Sequence, residues 1–254
     1  AFFRPDAAPA RLSTVYQKLG LLHGAGVDLT WMVRFDGRFA SLSAEAFVRT
    51  VLVERLRARY VVVGEDFRFG KGQQGDVGLL RRLQSACGFE VVTVPAVTCD
   101  GERISSSGIR DRLAAADFDG ARRFLGRPFR MEGHVVRGKR LGRKLGYPTA
   151  NLRIRAEPSP LHGVLAVYAR IARGPWLPGV ANLGRRPVVN GRTALLEVHF
   201  FDFDEDIYGQ RLDVQFVAKL RDEQDFDGLD ALVEKMKGDE REARVILAET
   251  EPPA

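Results

Sequence analysis

The chain is poor in the residues that build metal centres and disulfide frameworks. Its 254 residues include only two cysteines, Cys87 and Cys99, and four histidines. Neither cysteine belongs to a metal-spaced cluster, and two of them make no framework of bridges. A disulfide-stapled secreted scaffold is thereby excluded, and a reducing cytoplasm is the simplest setting. No apolar run approaches the ~20 residues of a membrane-spanning helix, so no membrane role is expected. The opening, Ala1-Phe2-Phe3-Arg4-Pro5-Asp6, has no secretory pattern and no initiator Met, which suggests a processed, truncated or fragmentary chain. Internal repeats and low-complexity tracts are also missing. What remains is 45% hydrophobic and 28% charged, the make-up of a folded globular protein with length for one large domain or two ordinary ones. The net charge of +6 favours anionic partners without choosing between nucleotide, nucleic acid and lipid.

Periodicity divides the chain near Gly126-Arg127-Pro128. Upstream, strand and helix alternate. Leu12, Val15, Leu19 and Leu22 share a helical face, with Ser13 or Thr14 as cap. Residues 27–33 read as a strand, and Ser43 caps a helix carrying Phe47, Val48, Val51, Leu52 and Leu56. Residues 60–63, Tyr-Val-Val-Val, are a short β-branched run of the kind buried on both faces in a parallel sheet. Asp76 starts another helix, 89–94 is a strand, and Ser105 and Asp117 cap two more helices. This alternation predicts a doubly wound α/β domain over residues 1–126. Downstream come alternating strands at 129–136, 164–171, 179–183, 194–201 and 212–217, separated by Gly- or Pro-containing turns. They predict a small antiparallel β-barrel over 127–254. A C-terminal helix closes it, with Leu229, Leu232, Val233, Met236, Val245 and Leu247 as apolar positions.

The segment 138–151 is the most informative. Gly138, Gly142 and Gly146 fall four residues apart, four basic residues lie between them, and Tyr147-Pro148-Thr149-Ala150-Asn151-Leu152 runs on into a strand. Glycine lets backbone N–H groups approach an anion, and Lys and Arg add charge. A Thr hydroxyl and an Asn carbonyl suit a hard cation such as Mg²⁺. The pattern points to a metal–nucleotide pocket; a flexible basic linker would have no use for the Tyr-Pro-Thr-Ala-Asn run.

Other candidates are weaker by themselves. Glu197 sits mid-strand in an apolar run, alternating in phase with Leu195, His199 and Phe201. It is either a solvent-facing residue or a base, while His199 reads as packing or surface. Asp202, Asp204, Glu205 and Asp206 evoke a calcium loop, but Ile207 stands where the glycine is required, so a solvated turn ending at Gly209 is the better reading. Gly70-Lys71-Gly72-Gln73-Gln74-Gly75 matches the dinucleotide fingerprint literally, yet lies too far past its strand and lacks the acidic residue that should follow. It reads as a mobile glycine loop. Before it, Gly64-Glu65-Asp66-Phe67-Arg68-Phe69 occupies the carboxyl end of a parallel strand, where open α/β sheets bind ligands. Ser105, Ser106 and Arg110 at a helix start make either a phosphate site or an ordinary cap.

With these residues in view, the chain resembles the bacterial bifunctional riboflavin kinase/FMN adenylyltransferase (FAD synthetase) family over essentially its whole length. The kinase half is marked by Gly142-Arg143-Lys144-Leu145-Gly146-Tyr147-Pro148-Thr149-Ala150-Asn151-Leu152 and by Pro178-Gly179-Val180-Ala181-Asn182-Leu183-Gly184-Arg185-Arg186-Pro187. Leu196-Glu197-Val198-His199 and Leu220-Arg221-Asp222-Glu223 with Phe226 complete it. The transferase half is marked by Gly64-Glu65-Asp66-Phe67-Arg68-Phe69-Gly70 and by Ile104-Ser105-Ser106 with Ile109-Arg110. The resemblance implies phosphorylation of riboflavin to FMN by ATP. Thr149 and Asn151 would face Mg²⁺, and Gly138, Gly142, Arg143, Lys144, Gly146 and Pro148 the nucleotide. Glu197 would be the general base, and Asn182 and Arg221 would meet the flavin. Asp66, Phe67, Arg68, Phe69, Ser105, Ser106 and Arg110 would belong to the adenylyltransferase site. Two departures stand out. Tyr147 replaces the usual Phe, and Val188 stands where Thr often follows Arg-Pro. The family's opening strand and its Gly-Phe-Asp-Gly-Val-His-x-Gly-His loop have no counterpart, a difference of ~30 residues or more. The expectation from this is that the chain makes little or no FAD from FMN.

ATP, riboflavin and FMN are therefore the expected partners, with no nucleic acid and no membrane. The rival is a non-catalytic basic barrel binding RNA through Arg137, Lys139, Arg140, Arg143 and Lys144. It leaves Thr149, Asn151 and Glu197 unexplained and offers no aromatic stacking platform. A flavin sensor without turnover would have no need of Glu197.

Overall fold

The computed structural model describes residues 8–138, 142, 145–154, 159–188 and 191–253; for 153–154, 185–188 and 191–194 it describes the backbone alone. The chain packs into two compact units. One contains Thr30–Ile104, and the other combines Ala8–Leu29 with Ser105–Ala254.

Helix α1 (Val15–Gly24) belongs to the second unit. Thr14 caps it in a reciprocal capping box with Gln17, so two orphan N–H groups are satisfied at once. Thr14 and Gln17 also bond Glu132 and the Arg130 carbonyl, at 3.4 and 3.1 Å. The strand expected at 27–33 does not form. Its large side chains, Leu29, Trp31 and Met32, are exposed, and no neighbouring strand among the described residues satisfies its backbone.

In the first unit, Asp36 caps the short α2 (Gly37–Ala40), and Ser43 caps α3 (Ala44–Phe47), which continues as a π-helix over Val48–Arg55. Strand β1 (Tyr60–Gly64) leads, through a 3₁₀ turn (Lys71–Gln73), to α4 (Val77–Cys87), which Asp76 caps. β2 (Glu90–Val94) then pairs in parallel with β1. Val48, Val61, Phe69, Leu80 and Phe89 form the core of this unit. The expectation that 60–63 is buried on both faces is corrected here. Among the described residues the sheet has two strands, with Val61 buried but Tyr60 63% and Val62 60% exposed. A helix layer on one side produces alternation, not a continuous buried run. The glycine loop at 70–75 is also no loose loop. Phe69 and Gly75 pair as an antiparallel bridge, and a Cβ at Gly75 would strike the Phe69 ring at 2.6 Å. A small hairpin, β3 (Thr98–Cys99) with β4 (Glu102–Arg103), ends the unit.

The second unit resumes with α5 (Ser106–Ala114) and α6 (Phe118–Leu125), capped by Ser105 and Asp117 as their sequence predicts. Six strands follow: β5 (Arg130–Val136), β6 (Ala150–Ile154), β7 (Gly163–Ile171), β8 (Trp176–Val188), β9 (Gly191–Phe200) and β10 (Arg211–Arg221). They close into a barrel in the order β10-β5-β6-β9-β8-β7. Alternate residues fill it: Leu152, Leu165, Leu183, Leu196, Val198, Leu212 and Val214 are fully buried. Each such side chain contributes roughly 1.5–3 kcal/mol relative to exposure.

The final helix, α7 (Leu229–Ala248), lies against β7, β8 and β10. It packs Ala243 and Leu247 with Ala166, Tyr168 and Phe201, and the Tyr168 hydroxyl donates to the Leu247 carbonyl at 2.7 Å. β7 is consequently covered on both faces over most of its length. Two apolar positions assigned to this helix are corrected. Leu229 is 56% and Val245 62% exposed, because the stripe against the barrel runs through Ala243 and Leu247.

Candidate functional site

One register row across the barrel carries most of the polar candidates. Asn151 on β6 lies opposite Glu197 on β9, and Glu197 lies opposite Asn182 on β8. Asn182 in turn faces Val164 on β7, and Val164 faces Arg221 on β10. Directly opposed residues share a face of the sheet, so the alternation that sends Leu152, Leu196 and Leu183 inward sends this row outward. Arg221 joins it only because β10 bulges. Lys219 pairs with Leu165 and Arg221 with Val164, so one residue between them is skipped. Bulges re-aim side chains in this way.

The row forms the floor of a cavity of about 340 Å³. Thr149, Tyr147 and Gly142 line one side; Leu232, Met236, Asp239 and Glu240 of α7 line another. Thr149 and Asn151 also line a second, smaller cavity of about 60 Å³, with Gly138, Pro148, Val135, Phe200 and Ile207. The two hollows therefore meet at these two side chains. Asn151 is buried, and its amide donates to the Thr149 carbonyl at 3.2 Å and towards the Thr149 hydroxyl at 3.5 Å.

The glycines of the motif have distinct physical reasons. A Cβ at Gly138 would sit 2.7 Å from the Asn151 Cγ and Nδ2. A Cβ at Gly142 would overlap the Tyr147 carbonyl, and the Gly142 carbonyl accepts from the N–H groups of Leu145 and Tyr147 at 3.0 and 2.8 Å. Gly146 adopts φ +82°, the left-handed region that favours glycine. Arg143 and Lys144, assigned to the nucleotide, lie outside the described residues, as do Lys139 and Arg140.

His199 proves to be a packing residue. Its Nδ1 lies 2.9 Å from the Pro148 carbonyl, and its ring meets the Tyr147 ring edge-on at 5.0 Å. It thus pins the backbone immediately before Thr149. Arg221 is held by Asp239, with Nε and Nη2 contacts of 2.8–3.1 Å, and Lys235 adds a second cation at 3.4 Å. The pair is almost wholly withdrawn from water, with side-chain exposures of 15% and 3%. The Asn182 amide donates to Glu223 at 3.4 Å, whereas its Oδ1 is buried without a hydrogen-bond partner. A Cβ at Gly184 would overlap the Glu223 carboxylate, so glycine makes room for that contact.

Sequence reasoning missed Asp239. The signal was present: it falls on the stripe Leu232, Met236, Asp239, Ala243, Leu247, where a lone carboxylate is out of place unless paired. Asp204, Glu205 and Asp206 lie in the connection from β9 to β10, with the Asp206 carboxylate accepting from the Tyr208 N–H. Among the described residues, no group of three or more His, Cys, Asp or Glu could hold a metal ion.

The transferase candidates fall into both units. In the first, Asp66 pairs with Arg103 at 2.5 Å, which holds its carboxyl below the usual range. Arg68 reaches Asp76 at 3.5 Å, and Phe67 stacks on Phe69 at 5.5 Å. In the second, Ser105 caps α5 by accepting from the Gly108 N–H at 3.0 Å, Ser106 is exposed, and Arg110 Nε donates to the Ala10 carbonyl at 2.5 Å.

A six-stranded barrel with a polar outer row under a final helix, beside an α/β unit, defines the class: a flavokinase-type barrel with a nucleotidyltransferase-type companion. Family models for riboflavin kinase and FAD synthetase match residues 125–247 and 1–108. The chain is 43% identical over 250 residues to the bifunctional riboflavin kinase/FMN adenylyltransferase of Escherichia coli K12, covering 98% of this chain and 80% of that protein. To the Pseudomonas fluorescens protein of the same description it is 45% identical over 248 residues, covering 97% and 79%. A crystal structure from Streptococcus pneumoniae, described as a macrolide-efflux protein, superposes with TM-score 0.74 at 31% identity, covering 94% of this chain and 79% of that one. Among the described residues no helix here is long and apolar enough to cross a membrane. The chain belongs to the bifunctional riboflavin kinase/FMN adenylyltransferase family, whose work is FAD biosynthesis.

Proposed function

We propose that the barrel transfers the γ-phosphoryl group of ATP to the ribityl 5′-hydroxyl of riboflavin, giving FMN and ADP, with Glu197 as general base. The observation that carries this reading is the row Asn151–Glu197–Asn182 on the floor of one cavity, with Thr149 beside it. The flavin occupies the larger cavity, where Leu232, Met236 and Phe226 offer an apolar wall for the ring. The nucleotide approaches from the smaller one, so that its terminal phosphate reaches Thr149 and Asn151 at the junction.

Mg²⁺ fits the donors present. The Thr149 hydroxyl and the Asn151 carbonyl are neutral hard oxygens, and Gly138 leaves open the space a Cβ would take from the Asn151 amide. When bound, the ion would neutralise charge on the transferring phosphate. The chain's own residues do the rest. Asn182 Oδ1, an acceptor lacking a partner, takes a hydrogen bond from a hydroxyl of the ribityl chain. Glu197 takes the proton of the 5′-hydroxyl as its oxygen bonds to phosphorus and the bond to the ADP oxygen breaks. Arg221, fixed by Asp239, borders the flavin.

We assign kinase chemistry to residues 127–254 and adenylyl transfer to FMN to residues 1–126, a division that the matches at 125–247 and 1–108 support. Asp66, Phe67, Arg68 and Phe69 would serve the flavin and adenine of that transfer, and Ser105, Ser106 and Arg110 its phosphates. With ATP as co-substrate, the setting is the cytoplasm. One tube tests the reading: purified chain, Mg-ATP and riboflavin, with products separated by chromatography. FMN supports the kinase assignment, and FAD in the same tube reports on the α/β unit. No product, together with salt-sensitive RNA binding, would replace this reading with that of a basic RNA-binding barrel.

A further inference from the structure

Two residues lining the larger cavity take no part in the transfer. Tyr147 stands in the segment just before Thr149, and Glu240 stands on α7. The Tyr147 hydroxyl is hydrogen-bonded to the Glu240 carboxylate. Each end is fixed independently. On one side, the Tyr147 ring lies against His199, which is bonded to the Pro148 carbonyl. On the other, Arg244 donates to Glu240 at 2.9 Å and to Asp202 at 3.0 and 3.2 Å, with its guanidinium 4.3 Å from the centre of the Phe201 ring. A contact between two preset groups loses little freedom on forming, so it retains most of its strength. The hydroxyl is also this chain's own addition, since Phe is usual at the position in the family it resembles.

We propose that Tyr147 and Glu240 form a clasp that ties the metal-binding segment to α7 and slows release of flavin from the cavity between them. The clasp rests on the flavin reading of that cavity. Both are positioning residues: they hold the walls, and neither touches the reacting atoms. A flavin leaving between these walls has to part them, and the clasp resists that motion.

The test is the dissociation rate of FMN from the full chain in the presence of Mg-ADP, followed by flavin fluorescence after rapid dilution. Tyr147→Phe keeps the ring on His199 and removes only the hydroxyl. It is expected to release FMN about tenfold faster, the factor that one hydrogen bond to a charged group is worth. Glu240→Ala should give a similar increase, Glu240→Gln a smaller one, and Tyr147→Phe combined with Glu240→Ala no more than the faster single variant. Release from Tyr147→Phe at the wild-type rate would overturn the clasp, as would single effects that multiply. Those outcomes leave the flavin site standing, because the variants would still bind FMN. A wild-type chain that binds no FMN would instead remove the flavin reading and the clasp with it.

Discussion

Gly138→Ala is the sharpest perturbation the site offers. The substitution adds one methyl group at a position whose backbone any residue can adopt, since Gly138 is not among the residues with positive φ. Its Cβ would lie 2.7 Å from Asn151 Cγ and Nδ2 and 2.8 Å from Oδ1. Non-bonded carbon contacts settle at about 3.5–4.0 Å, so the amide has to retreat by roughly 1 Å. The part that gives is the short Asn151 side chain, not a strand. Its rotation breaks the hydrogen bonds to Thr149 and turns the carbonyl away from the cavity junction. A displacement of about 1 Å from productive geometry costs on the order of 100-fold in rate. Folding should hardly change, because the strain of the shift opposes a gain of about 0.4–1 kcal/mol from a stiffer unfolded chain. The expected result is kcat for FMN formation down about 100-fold with a melting temperature within about 3 °C of wild type. Initial rates at saturating riboflavin and varied Mg-ATP, beside a thermal melt, read both quantities. Wild-type turnover would show that Asn151 has no part in holding the nucleotide, and a collapse of the melt would show that Gly138 serves the fold instead.

Further outcomes follow from the same geometry. Glu197→Gln keeps size and shape and removes the base, so turnover should fall by about 10²–10⁴ with ATP binding little changed; single-turnover rates and nucleotide titration separate the two. Thr149→Ala should raise the Mg-ATP concentration needed for half-maximal rate while leaving riboflavin affinity near wild type, measured by fluorescence titration. Asp239→Ala strands the Arg221 guanidinium without its carboxylate in a nearly dry site, a loss on the order of 3–5 kcal/mol. Urea unfolding of the full chain should show it, and a loss below about 1 kcal/mol would mean that water reaches Arg221 freely.

The legible part of this protein was local. Glycine spacing, the neutral oxygen pair at Thr149 and Asn151 and the carboxylate in an apolar strand could all be found in the chain, because each is a short-range pattern with a chemical reason. Caps at Thr14, Ser43, Asp76, Ser105 and Asp117 were equally readable, since a cap bonds within three residues of itself. Resemblance supplied the roles that spacing left open, above all for Asn182 and Arg221. The misreadings were of a different kind. Residues 27–33 have strand composition and no strand, because pairing depends on a neighbour that composition does not name. Val245 looked like core and faces solvent, because which stripe of a helix is buried depends on what it lies against. At 70–75 a glycine-rich string suggested mobility, yet the Phe69–Gly75 bridge ties it down.

By itself, the sequence determined which elements alternate, where most of them start, and which residues carry phosphate-transfer chemistry. Only the tertiary structure decided that Asn151, Glu197, Asn182 and Arg221 share a cavity. Those four are spread over 71 positions of the chain, and they meet through barrel register and a bulge in β10. The same packing brought Asp239 beneath Arg221 and Glu240 against Tyr147, across a helix whose contacts no local pattern specifies. The physical reason is range: capping and alternation act over a few residues, whereas register and docking are set by the closure of the whole barrel.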